Sequence, residues 1–238
     1  MIIVPDIHGR SFWEKPVNDH IGKEHVIFLG DYLDPYPQEM IFPEEAWAEF
    51  REVVAMKRKY SDKVTLLLGN HDLHYLLPEI GGGRFDRENA VRNRTFFLDN
   101  LALFDLTYLL ESPGNKYLFS HAGILPGWIL ENERLLFTKA FTEIGERLND
   151  LLHDGDRRQI LLWALSDTSF TRGGHNIYGS PVWADVTDHD PNRFSLEDTY
   201  QIFGHSWMER EIITPYWACL DCGHAFKFNP IDNVLTKL

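Results

Sequence analysis

Five short apolar runs constrain this chain more than any other feature, because each closes on residues able to hold a metal or move a proton: MIIVPDIH, HVIFLGD, KVTLLLGNHD, KYLFSHAG and YQIFGHS. Runs of this length, rich in Ile, Val, Leu and Phe and closed by Gly or Asp, read as buried strands. Between the second and third lies PEEAWAEFREVVAMKRKY. There Pro43, Glu44 and Glu45 suit a helix start, Trp47, Phe50 and Val54 recur at helical spacing, and the basic end suits the helix dipole. Further helices are expected over residues 86–101 and 132–154. Strands alternating with helices predict an α/β fold, in which ligands gather at the carboxyl ends of the strands. Residues 155–199 carry turn residues throughout and are expected to form a loop-rich region near the site.

The charge balance limits what such a site can bind. Thirty-six acidic residues against 23 Lys and Arg leave a formal charge of −13, which argues against a nucleic-acid partner, since phosphate backbones are gripped by clustered cations. An acidic protein that handles phosphates needs metal cations to do so. With 44% hydrophobic residues over 238 positions, the chain can bury a full core, and one domain over residues 1–238 is expected. Cys219 and Cys222 are too few for a disulfide scaffold, and one CxxC lacks the second pair of a structural zinc site. The opening MIIVPDIHGR has no basic n-region, and no apolar run approaches the ~20 residues that span a bilayer. A soluble cytoplasmic protein without a membrane partner is therefore expected.

Asp6 and His8 are two residues apart, so on an extended strand both face one side. Asp31 follows the second run, Asn70 and His71 the third, His121 the fourth and His205 the fifth. Carboxylate, imidazole and amide oxygen are the ligand types for Zn, Mn, Fe and related ions. Any one of them has a plainer reading, as a turn or helix cap or a hydrogen-bonded partner. Five strands ending alike point instead to a two-metal centre.

In order, DIHG, GDYLD, GNHD, SHAG and FGHS resemble the five blocks of the calcineurin-like metallophosphoesterases, most closely the phosphoprotein (serine/threonine) phosphatase branch with its bacterial and phage relatives. CLDCG looks like the strand that follows the last histidine in that branch. The resemblance implies a sandwich of two mixed β-sheets flanked by helices. It also implies two metal ions, Mn2+ or an Fe/Zn-type pair. Asp6 and His8 would hold the first metal, Asp31 would bridge both, and Asn70, His121 and His205 would complete the second. His71 would be the general acid, with Asp34 orienting its imidazole. The implied activity is serine/threonine-phosphatase-like hydrolysis of a phosphomonoester, in a phosphoprotein or a small phosphoester, by in-line attack of a hydroxide activated between the two metals. The alternatives are a dinucleoside polyphosphate or phosphodiester cleaved at the same metal site, and a binding scaffold that has lost catalysis.

Two departures from the family pattern matter. Trp207 stands in GHSW where many relatives have a second histidine, which favours the phosphatase branch. Pro35 and Tyr36 stand where the second block usually carries an arginine that binds the substrate phosphate. Guanidinium groups match phosphate bidentately, so Arg10, Arg172 and Arg193 are the candidate replacements. SPVWAD resembles a stretch that precedes another phosphate-binding arginine in that branch, which favours Arg193.

Overall fold

A computed structural model of the chain describes residues 1–80, 82–137, 141–194, 196 and 198–238. The chain divides into two compact units, one of Met1–Phe104, Gly223–Asn229 and Asn233–Leu238, the other of Asp105–Cys222 and Pro230–Asp232. The chain begins with β1 (Ile2–Val4), α1 (Glu14–His20), β2 (Val26–Phe28), α2 (Pro43–Lys59), β3 (Val64–Leu67), α3 (Asn70–Leu76), α4 (Ala90–Asp99) and β4 (Phe104–Asp105). The second unit carries β5 (Thr107–Ser112), β6 (Asn115–Ser120), α5 (Pro126–Glu131), α6 (Glu133–Leu136), α7 (Phe141–His153), α8 (Arg158–Leu165), β7 (Thr199–Phe203), β8 (Ile212–Ile213) and β9 (Trp217–Cys219). The hairpin of β10 (Phe226–Asn229) and β11 (Val234–Lys237) returns to the first unit.

Among the described residues the strands form two mixed sheets flanked by helices, ordered β11-β10-β1-β2-β3-β4 and β5-β6-β7-β9-β8. In the first, β1, β2 and β3 run parallel, with Ile3 opposite Ile27 and Ile27 opposite Thr65, while β10 lies antiparallel to β1. In the second, β6, β7 and β9 are parallel, and β5 and β8 pair antiparallel at the two edges. Every residue of β1, β2 and β3 is buried. Parallel strands covered on both faces need unbroken apolar sequence, which is why IIV, VIF and VTLL were legible as short runs.

Helix α2 follows its sequence signals at both ends. Pro43 occupies the first turn, the Glu45 carboxylate accepts from Phe42 N–H at 2.8 Å, and Lys57, Arg58 and Lys59 close the last turn. Its buried face is Ala46, Phe50, Val53 and Val54. Phe50 stacks on Tyr32 with centroids 5.1 Å apart and meets Phe97 at 4.8 Å. Burying such a side chain contributes about 1.5–3 kcal/mol, so this cluster locks α2 against the loop after β2 that the site uses.

Three expectations need correction. The helix expected over 86–101 begins only at Ala90, because the Asp86 carboxylate accepts from the Asn89 backbone and side-chain N–H groups at 3.1 and 2.9 Å and holds the preceding turn. The helix expected over 132–154 is interrupted after Leu136 by Phe137 in the left-handed region at φ 53° and resumes as α7. Residues 155–199 contain a helix, α8, whose Leu161, Leu162 and Leu165 are buried. No described helix is long and apolar enough to cross a membrane.

Candidate functional site

In the first unit, the parallel register brings the carboxyl ends of β1, β2 and β3 to one edge, where DIHG, GDYLD and GNHD follow. The chains approach closely there because of glycine. Gly30 has φ +113°, and a Cβ on it would lie 2.5 Å from Gly69 N, so the glycines of GD and GN let the two loops touch. Ile7 N–H and His8 N–H both donate to Asp31 O, at 3.1 and 2.7 Å. His71 N–H donates to Asp31 Oδ1 at 2.9 Å. Asp6, His8, Asp31 and Asn70 are all at most 2% exposed, and His71 is 7% exposed.

Asp6 and His8 do share this edge, though not for the reason the spacing suggested. Strand β1 ends at Val4, and His8 lies in the left-handed region at φ 48°, as do Asp31 at 54° and Asp34 at 61°. Left-handed backbone at a non-glycine costs on the order of 1–3 kcal/mol per residue and gathers at functional sites.

The donors fit a cation. His8 Nδ1 lies 2.8 Å from Leu33 O, a carbonyl that can only accept, so Nδ1 carries the proton and Nε2 presents a lone pair. Burial, with the neighbouring His71, drives the His8 pKa well down, keeping the ring neutral. His8 Nε2 lies 3.5 Å from Asp31 Oδ2, so two atoms that both carry lone pairs face each other. Burial above all, with Asp6 adding its charge, pushes the Asp31 carboxyl up to about 7. A positive ion among these groups removes both costs. His8, Asp31 and His71 bring one ligand atom each within 4.8 Å of one another.

A residue that sequence reasoning passed over holds this arrangement. Asp72 is fully buried, and its carboxylate accepts from Asp31 N–H and Gly69 N–H at 2.8 Å and from Tyr32 N–H at 3.1 Å. Burial and the Asp31 charge push its pKa well up, against the pull of those three donors. Asp72 therefore braces the β2 loop to the start of α3. Its signal was present as the last letter of GNHD.

His71 sits on the first turn of α3 with both ring nitrogens engaged. Nδ1 is 2.9 Å from Asp34 Oδ2, while Asp34 Oδ1 accepts a short hydrogen bond from the Tyr75 hydroxyl. Nε2 is 2.8 Å from Arg84 Nη2. A guanidinium only donates, so Nε2 is the acceptor and Nδ1–H points at Asp34. His74 lies beside His71, ring centroids 5.2 Å apart, and burial lowers its pKa to about 3. Arg84 was not among the expected residues, since nothing in the spacing of GGGRFD ties that loop to the ligand-bearing blocks.

In the second unit, His121 follows β6 and His205 follows β7, and the parallel pairing of those strands brings the rings together. His121 Nε2 is 3.2 Å from His205 Nδ1, and the two are 0% and 8% exposed. The Trp183 ring stands edge-on to His205 at 5.7 Å, and His205 has φ 68°.

The three expected arginines each meet a carboxylate. Arg10, in the first unit, donates to Glu39 at 2.8 and 3.0 Å and to Asp6 O at 3.4 Å. In the second unit Arg172 pairs with Asp185 at 2.7 Å and donates to Ser206 Oγ at 2.6 Å. Arg193 pairs with Asp190 at 3.2 Å and is 77% exposed at its side chain.

The profile of the family described as calcineurin-like phosphoesterase matches residues 1–207. Two curated proteins named symmetrical bis(5'-nucleosyl)-tetraphosphatase are similar to the chain. The one from Chromobacterium violaceum is 29% identical over 136 residues, 55% of this chain and 44% of its own length. That from Nitrosospira multiformis is 34% identical over 117 residues, 48% of this chain and 38% of its own length. The chain thus spans less than half the length of these curated relatives. Among solved structures, the cold-active protein-tyrosine phosphatase of a psychrophilic Shewanella sp. covers 100% of this chain and 79% of its own, at TM-score 0.57 and 15% identity. A protein serine/threonine phosphatase from Saccharomyces cerevisiae covers 100% and 78%, at TM-score 0.58 and 14% identity. At those identities the two structures speak for the fold alone.

Proposed function

The chain belongs to the calcineurin-like phosphoesterase family and is a hydrolase, and from that premise we propose that it cleaves a dinucleoside polyphosphate, splitting diadenosine tetraphosphate into two molecules of ADP. The observation that carries this reading is the 29–34% identity to curated symmetrical tetraphosphatases. The phosphomonoesterase reading placed first on sequence grounds has structural neighbours at 14–15% identity, which speak for the fold alone. The alternative given with it is therefore the better supported. Pro35 and Tyr36, in place of the expected arginine, are compatible with a substrate other than a phosphoprotein.

From the first unit we assign Asp6, His8, Asp31 and Asn70 as metal ligands, and from the second His121 and His205. Two divalent ions, when bound, supply charge neutralisation and Lewis acidity toward the phosphoryl oxygens, which lets water act as a nucleophile near neutral pH. The protein's own groups do the rest. His8 holds its proton on Nδ1 against Leu33 O and keeps Nε2 available. Asp72 holds the Asp31 loop in place. As a new oxygen–phosphorus bond forms and the attacking water sheds a proton, the bridging phosphorus–oxygen bond opposite it breaks. The departing diphosphate oxygen takes a proton from Nε2 of His71, which acts in its doubly protonated form once Arg84 no longer donates to that nitrogen. Asp34, itself held by Tyr75, keeps the imidazole aimed and stabilises its charged form.

Turnover of diadenosine tetraphosphate, a phosphoserine peptide and bis-p-nitrophenyl phosphate, each with Mn2+ and after chelation, tests the assignment. The tetraphosphate is expected to give the highest kcat/KM, with ADP as the sole product. A phosphopeptide turned over faster than the tetraphosphate overturns it.

A further inference from the structure

Among the described residues Arg84 lacks the carboxylate partner that each of the expected arginines has. Arg10, Arg172 and Arg193 are neutralised by Glu39, Asp185 and Asp190, whereas no carboxylate forms an ion pair with Arg84 among the described residues. Its Nη1 is shielded from solvent and has no hydrogen-bond partner among those residues. A buried donor left unmade costs about 1–3 kcal/mol or more when charged, so the group suits an acceptor that the described residues do not provide. Its Nη2 reaches His71 Nε2 at 2.8 Å and comes within 3.4 Å of His8 Nε2, which aims the guanidinium at the edge where Asp6, His8, Asp31 and His71 gather.

The side chain is also held in place. Its guanidinium carbon lies 3.6 Å from the centroid of the Tyr36 ring, which itself packs edge-on against His8 at 5.1 Å. A cation on an aromatic face gains roughly 0.5–2 kcal/mol depending on desolvation, and such a contact leaves the N–H groups to other partners. Arg84 takes left-handed backbone at φ 63° to reach this position. A cavity of about 210 Å³, lined in part by Asp34, Pro35, Tyr75 and Arg84, adjoins it.

We propose that Arg84, seated on the Tyr36 ring, binds the phosphoryl group of the substrate, supplying from the loop after α3 the cation that residues 35 and 36 do not. Phosphate oxygens accept from both Nη groups, satisfying Nη1 and drawing Nη2 from His71 Nε2, which leaves that nitrogen facing the substrate. This rests on the reading of the site as a phosphoester hydrolase, and not on which phosphoester it cleaves.

Calorimetric titration of inorganic phosphate into the Mn2+-reconstituted full chain tests it, with fold and metal content of each variant checked by circular dichroism and metal analysis. Arg84→Ala is expected to weaken phosphate binding at least tenfold, and Arg84→Lys less, since a point charge cannot make the forked contact. Tyr36→Leu loses several-fold in affinity while Tyr36→Phe, which keeps the ring, retains it, and this pair decides the matter if Arg84→Ala does not fold. Phosphate binding within twofold of wild type in Arg84→Ala or Tyr36→Leu, or no binding to wild type at millimolar phosphate, overturns the proposal. Arg84-dependent phosphate binding in a protein that leaves diadenosine tetraphosphate intact sinks the substrate assignment and leaves this one standing.

Discussion

Asp34 divides its two oxygens between His71 Nδ1 and the Tyr75 hydroxyl, so its charge is fixed in direction as well as in place. Replacing it by Asn keeps the shape and removes the charge that favours a proton on His71. Asp34→Asn is expected to lower kcat by roughly 100-fold with little change in KM, within the range general acid catalysis supplies, while Tyr75→Phe has a smaller effect; steady-state kinetics separate the two. Asp72→Asn sets an amide NH2 against one or more backbone donors, and urea unfolding should show a loss of about 1–3 kcal/mol for each donor left unpaired. Asp31, His71 and Asp34 were legible because they follow apolar runs closely. Asp72 and Arg84 were not: the first acts only through backbone N–H groups of another loop, and the second arrives from a loop whose sequence says nothing about where it ends.

The close crossing of the loops after β2 and β3 is the element-scale device on which the proposed ligand set depends. Gly30→Ala places a methyl 2.5 Å from Gly69 N at a φ of +113°, and L side chains at such a φ are strained by about 1–3 kcal/mol before any clash is counted. That variant is expected to lose at least 2 kcal/mol in urea unfolding and to bind Mn2+ less tightly, since Asp31 is the next residue. Gly22→Ala, with nothing within 4 Å of the added methyl, is the matched control and should be near neutral. Helix α2 was readable from end to end, because its apolar stripe, proline start and basic finish agree. The break at Phe137 was invisible, since Leu135, Leu136, Ile144 and Leu148 continue a helical rhythm across it. Strands β10 and β11 were missed because FKFN alternates buried and exposed positions over only four residues and VLTK is mostly exposed, too short a pattern to count.

Across the whole molecule, the −13 charge argues against a polyanion grip by surface cations, and the proposed metal centre would let such a chain handle phosphate in spite of it. Acid stability reads out the buried histidines. His189, fully enclosed and stacked on Phe203 at 4.5 Å, has its pKa lowered by burial to about 4. Its folded value lies below the ordinary 6.5, so its contribution is complete above pH 6.5 and is lost as pH falls toward 4. A shift of that size is worth up to about 3 kcal/mol. The urea midpoint of wild type should therefore fall more steeply between pH 6.5 and 4 than that of His189→Gln, whereas Asp31 and Glu49, raised to about 7, act with the opposite sign in both proteins and cancel in the comparison. The fold class was legible from the order of strand and helix signals; the assignment of parallel and antiparallel partners was not, because pairing is decided between segments far apart in the chain. The central claim, that buried aspartates and histidines at strand ends make this chain a metal-dependent hydrolase, is tested most directly by titrating Mn2+ into chelated protein while following ADP release from diadenosine tetraphosphate. The account predicts no turnover without metal and a rise to a plateau at two equivalents per chain, and turnover that is indifferent to chelation, or none at any metal level, contradicts it.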